Sequence, residues 1–279
     1  MKKTWVVIII ALSLTGFGAA VFFGIRVARG VPVADEVKVP HRVVAQLIDR
    51  EIDLSEGIDV EFWDTLEPQQ IDLQYQVMIL PWPKEVVPFV NIKSFHNGRR
   101  IYFYLQWQDE VEDADININR FSDACAVMFP LGDDVPASTL LMGFMGNANI
   151  WHWKANRGRE YWTGVRTEDK AYVDFYYPFE NEELFVVSKD RIESAATDLV
   201  SARIATVTVK PIQSVEARGA YENGIWRVVF RRTLEVMDAE IDAQFTESVI
   251  QCAFAIWDGA HKDRGGRKSI SDWVELVMR

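Results

Sequence analysis

From residue 70 onward the chain is built of short apolar runs that alternate with polar positions, the period-two pattern of half-buried strands. Residues 71–80 (IDLQYQVMIL) alternate, turn wholly apolar, and stop at Pro81-Trp82-Pro83. Residues 89–95 and 100–107 flank Asn97-Gly98 and predict a hairpin, because Asn-Gly accepts the positive φ angles of a tight strand connection. Further strands are predicted at 122–130, 139–144, 149–155, 170–178, 202–210, 224–232, 248–259 and 269–278. Helical spacing is confined to 43–51 and to 190–200, where Ser194 and Thr197 weaken it. The expected fold is mainly β, an antiparallel β-sandwich or distorted barrel with a few short helices. There is no fixed-period repeat and no Gly/Ser/Pro-rich linker, so one domain is expected over 31–279.

The first thirty residues follow a different pattern. Lys2-Lys3 precedes about twenty uncharged, apolar residues, the form of a signal peptide or of an N-terminal apolar helix able to span a bilayer once. Either reading exports the body from the cytoplasm, to a periplasmic or equivalent compartment, with possible membrane attachment through residues 5–25.

Charge narrows the partners. The net charge is −11, and every charged residue among the first thirty is basic, so the body is more acidic still. Nucleic acid, which demands clustered positive charge, is excluded as the expected partner. An acidic surface steers basic proteins instead. The two cysteines, Cys125 and Cys252, lie far apart in apolar runs and are expected as buried free thiols, a disulfide being the alternative. They make no CxxC pair, no c-type haem attachment and too few thiolates for an iron–sulfur cluster.

Signatures of the common hydrolases, metalloproteases and nucleotide-binding enzymes are absent. The four histidines, His41, His96, His152 and His261, are scattered without metal-ligand spacing. Two segments carry candidate chemistry. In 141–155 (LMGFMGNANIWHWKA) the thioethers of Met142 and Met145 sit in a glycine-rich turn beside Phe144; Trp151 and Trp153 then share one strand face and His152 takes the other. A thioether can occupy an axial position on haem iron, although methionines and tryptophans also serve as plain core filler. In 206–232, Lys210 ends an apolar strand before Pro211, which could turn its amine inward; desolvation there would free a lone pair for a metal.

These segments together resemble the haem-binding gamma subunit of type II molybdenum enzymes of the dimethyl-sulfoxide-reductase superfamily, a group that includes ethylbenzene and dimethylsulfide dehydrogenases, chlorate and selenate reductases and nitrite oxidoreductases. The resemblance rests on the Met-Gly turn leading to NIWHWKA, on the run 224–232 and on FAIWDGAHKDRGGRKSISDW near the end. It implies one non-covalent haem b held by a methionine and a lysine. On this sequence those are Met142, with Met145 as its competitor, and Lys210. Trp151, Trp153, Phe144 and Trp226 would then be pocket walls. The resemblance further implies a non-catalytic electron-transfer subunit that works beside a molybdopterin alpha subunit and an iron–sulfur beta subunit and exchanges electrons with a soluble c-type cytochrome. The basic turn 261–269 would hold haem propionates or dock the beta subunit, or simply be solvated. Alternatives are a haem-free structural or assembly homologue in the same complex and an exported carbohydrate-binding β-sandwich.

Overall fold

A computed structural model describes residues 41–76, 85–116, 120–132, 135, 139, 147–165, 192–202, 206–235 and 238–279. The elements in chain order begin with β1 (Arg42–Leu47), a 3₁₀ turn (Leu54–Glu56), α1 (Val60–Asp64), β2 (Gln69–Asp72) and β3 (Gln74–Tyr75). Next come β4 (Phe89–His96), β5 (Arg100–Gln108), β6 (Ala124–Leu131), β7 (Asn147–Lys154) and α2 (Ala155–Thr163). The rest are β8 (Ala196–Ser201), β9 (Thr208–Val209), β10 (Glu216–Glu222), β11 (Ile225–Thr233), β12 (Val249–Trp257), β13 (Ser269–Ile270) and β14 (Val274–Met278). The expected strands over 77–80, 140–144 and 170–178, and the N-terminal segment 1–30, lie outside the described residues. Among the described residues no helix is long and apolar enough to cross a membrane.

The protein is mainly β, as expected, with two corrections to the architecture. One open sheet runs in the order β10-β11-β5-β4-β1-β14-β12-β6-β7-β8-β9, in place of two separate sheets or a closed barrel. It is also mixed, because β1 lies parallel to both β4 and β14. The sheet changes partners along β12. Val249–Cys252 pair with β14, whereas Ala253–Trp257 pair with β6. Two limbs result, one from β10 to β14 and one from β12 to β9. Their inner faces share a single core that contains Phe103, Leu105 and Phe230 from the first limb and Phe129, Trp151 and Phe254 from the second.

Two expected helices are strands. Residues 43–51 fit either period, but β1 buries Val43 and Ala45 between two parallel neighbours, and that pairing decides the matter. Residues 196–200 of the second expected helix, together with Ser201, form β8 because β7 offers them a complete antiparallel partner.

The hairpin at Asn97-Gly98 forms as expected, with Gly98 at φ +79° and the Asn97 side chain accepting from the amides of Arg99 and Arg100. A second Asn-Gly turn, at Asn223 (φ 54°) and Gly224 (φ 76°), joins β10 to β11. β10 itself (EARGAYE) is too polar to show as a strand by hydropathy. Its Gly219 has a packing role: a Cβ there would lie 2.1 Å from Trp153. Each large apolar side chain sealed in this way contributes roughly 1.5–3 kcal/mol.

Candidate functional site

Strand alternation sends Cys125, Val127, Phe129, Trp151, Trp153, Phe254 and Ile256 into the core between the limbs. The intervening residues of β6, β7 and β12 form the second face of the second limb, which is buried as well. Its floor is short: Ala124, Ala126, Ala148, Ala253 and Ala255, with Ile150, Ile270, Trp257 and Met128 around them. Ala126 sits in register between Ala255 and His152, so small side chains meet on this face.

Two nitrogen donors border this floor. His152 is buried, its ring packs 5.0 Å from that of Trp257, and its Nε2 has no hydrogen-bond partner. Burial, with Lys154 and Lys268 nearby, holds its imidazole well below the usual histidine value, so the ring is neutral. The Lys268 ammonium lies over Trp257, 4.7 Å from the ring centroid, and has no carboxylate partner among the described residues. Burial pushes its pKa down to about 8. An apolar floor flanked by a neutral imidazole and a readily deprotonated amine suits a planar ligand carrying a metal with open axial positions.

The first limb has a different outer face. Phe95, Tyr102, Tyr104 and Val229 are covered there by Phe62 and Trp63 of α1, with Trp63 stacked 5.0 Å from Tyr104 and Phe95 4.4 Å from Tyr102. Lys93 donates to the Trp63 carbonyl at 2.7 Å and ties the helix down.

Lys210 is buried, as its place before Pro211 suggested, but its amine is engaged. It pairs with Asp198 at 2.8 Å and with Asp242. Asn149 and Ser214 donate to Asp198 at 2.7 and 2.8 Å, and Arg232 lies 3.9 Å from Asp242 and 5.1 Å from the Trp151 ring centroid. Two cations therefore balance two carboxylates. Burial opposes ionisation of Asp242, but the hydrogen bonds from Lys210 and Asp238 and the nearby Arg232 hold its carboxyl below the ordinary value.

A third polar group lies where β5 ends and β6 begins. Asp109, Asp123 and Asp258 bring carboxylate oxygens within 4.8 Å of one another. Burial first, then the neighbouring acids, pushes Asp109 up to about 7 and Asp123 up to about 8.

Of the residues singled out from sequence, Trp151, Trp153 and Trp226 pack inward in the main core, with Trp153 5.1 Å from Trp226. His152 faces the other way, as its alternation with the tryptophans predicted. Met142, Phe144 and Met145 lie outside the described residues. Cys125 and Cys252 are buried and free. In the basic turn, His261 pairs with Asp258 and Glu85 at 2.7 Å each, so acids meet much of its charge. Sequence reading missed Lys268 as a site residue. It lay within the basic turn 261–269, whose sequence does not single out one cation, and only the fold shows that its amine sits over Trp257.

The model of the ethylbenzene dehydrogenase family matches residues 60–269. Among curated proteins, the chain is 24% identical over 77% of its length to a putative respiratory nitrate reductase heme subunit of Haloferax mediterranei. It is 25% identical over 67% of its length to the gamma subunit of dimethylsulfide dehydrogenase of Rhodovulum sulfidophilum, and 22% identical over 63% to that of chlorate reductase of Ideonella dechloratans. These matches span 66%, 59% and 59% of the relatives' own lengths. Among solved structures, a family 9 carbohydrate-binding module of Caldicellulosiruptor kristjanssonii in complex with glucose aligns over 85% of this chain and 95% of its own, at 10% identity and a TM-score of 0.43, a likeness too slight to carry an argument. The family match covers most of the chain: it belongs to the ethylbenzene dehydrogenase family.

Proposed function

We propose that this chain is a non-catalytic electron-transfer subunit that binds one b-type haem without a covalent link. It works outside the cytoplasm beside a molybdopterin alpha subunit and an iron–sulfur beta subunit, and it exchanges electrons with a soluble c-type cytochrome. Family membership supports this, as do relatives named as heme or gamma subunits. The observation that carries it is the second face of the second limb, where five buried alanines lie beside His152, whose Nε2 has no hydrogen-bond partner, and Lys268, which has no carboxylate partner among the described residues.

Haem would supply one-electron redox chemistry; the chain's part is to hold it, exclude water and set its surroundings. A lysine can ligate iron only as the neutral amine. Lys268 meets that requirement better than Lys210, whose ammonium is held by two carboxylates. The proposed ligand pair is therefore the thioether of Met142, or of Met145 in its place, with the amine of Lys268; Lys210 serves the fold. On this face Trp257, in place of Trp151, Trp153 and Trp226, becomes the aromatic wall. A carbohydrate-binding reading needs tryptophans on an exposed flat surface, and no described tryptophan is exposed.

The test is a reduced-minus-oxidised spectrum of the purified full chain or its complex. Lys268→Ala is expected to lose the low-spin six-coordinate spectrum, and Lys210→Ala to keep it in whatever protein folds. The opposite result returns the ligand to Lys210. A wild-type complex with no haem absorption removes the electron-transfer reading and leaves the haem-free structural homologue.

A further inference from the structure

Three strand ends meet at one end of the sheet: Asp109 follows β5, Asp123 precedes β6 and Asp258 follows β12. All three residues are buried, with 5%, 0% and 7% of their surface exposed. Their mutual approach to within 4.8 Å puts like charges in a poorly screened interior. The hydrogen bonds present do not cancel that charge. Asp123 accepts from Gly259, Asp113 and the Trp226 indole at 2.7–2.9 Å, and Asp109 accepts from Val111 at 3.2 Å through Oδ1. Among the described residues the one cationic group paired with the trio is His261, on Asp258.

A separate observation points to a ligand. Oδ2 of Asp109 is buried without a well-formed hydrogen bond, the Trp107 indole N–H near it being left unsatisfied as well, and Oδ2 of the adjacent Asp113 also lacks a hydrogen-bond partner. Buried carboxylate oxygens are ordinarily satisfied, because leaving one bare forfeits its hydration with nothing in return. The surrounding chain is tightly closed as well. A Cβ at Gly259 would lie 2.0 Å from the Phe121 carbonyl oxygen and 2.7 Å from the Asp113 Cβ, so only glycine lets the β12 end approach this closely.

We propose that Asp109, Asp123 and Asp258, joined by Asp113, bind a hard divalent cation, calcium in preference to magnesium, that clamps the ends of β5, β6 and β12. Calcium takes 6–8 oxygen ligands at about 2.3–2.6 Å in flexible geometry, whereas magnesium demands a near-ideal octahedron and keeps several waters, so a closed cluster of carboxylates suits calcium better. The site joins strands of both limbs, and it uses none of the residues proposed for haem.

Terbium is a suitable probe, because Trp226 donates directly to Asp123 and can sensitise its luminescence. In chelator-treated full-length protein, Tb³⁺ is expected to give saturable one-to-one emission on tryptophan excitation. Ca²⁺ should displace it at concentrations about tenfold or more below those of Mg²⁺. Calcium at about a hundred times its dissociation constant should raise the melting temperature by about 5–10 °C. Asp109→Asn should lose both effects; if that variant does not fold, the wild-type titration decides alone. A wild-type melting temperature indifferent to chelator and calcium, with no sensitised emission, would overturn the proposal and mean that protons fill the cluster.

Discussion

The outer faces of the two limbs are built from the same strand alternation and filled in opposite ways. On the first limb large aromatics (Phe95, Tyr102 and Tyr104) meet a helix, α1, that brings Phe62 and Trp63 down onto them. On the second limb the corresponding positions are alanines, and the His152 Nε2 that borders them lacks a hydrogen-bond partner. A sheet face that the chain completes itself is close-packed and satisfied. The second face is buried too, but over small side chains, and the neutral His152 imidazole there keeps a nitrogen without a hydrogen-bond partner. The buried polar groups differ too: Lys210 and Arg232 balance Asp198 and Asp242, whereas among the described residues the aspartate trio is paired with His261 alone.

The contrast can be tested by damaging each face. Trp63→Ala, on the completed face, is expected to cost about 3–5 kcal/mol, because it leaves a cavity beneath a fully buried ring. Denaturant unfolding would measure that loss, and the haem spectrum of the folded fraction should be unchanged. Ala126→Leu, on the alanine floor, is expected to cost less, about 1–3 kcal/mol, but to lower haem content sharply, since the added methyls stand where a flat ring would lie. If haem content survived Ala126→Leu and fell with Trp63→Ala, the two faces would have to exchange roles. The smallest effect is expected from acid. The folded carboxyl of Asp242 lies below its ordinary value, so its stabilising share is present above the usual aspartate range and is lost as pH falls through the lower folded value. Unfolding followed from pH 6 downward should show this limb in the wild type, and Asp242→Asn should flatten it.

How much of this could be read from the chain varied by feature. The Asn97-Gly98 hairpin and the opposite facing of His152 and its flanking tryptophans were legible because both are set within a few residues. The turn at Asn223-Gly224 carried the same signal and went unread, since β10 is too polar to look like its partner. The helix expected over 43–51 failed because its pattern fits both periods, and parallel neighbours more than forty residues away made the choice. For Lys210, burial was foreseeable from the preceding apolar strand. Its engagement was not, because Asp198 and Asp242 reach it from other elements.

By itself, then, the sequence determined a β-rich body with buried free thiols, and a resemblance specific enough to name a haem-subunit family. The tertiary structure decided that Lys210 is held by Asp198 and Asp242 while Lys268 has no carboxylate partner among the described residues, and that three aspartates from three strand ends share one point. The physical reason is range: alternation and turn chemistry act between neighbours, whereas desolvation, charge balance and the pairing of buried polar atoms depend on groups that only folding brings together.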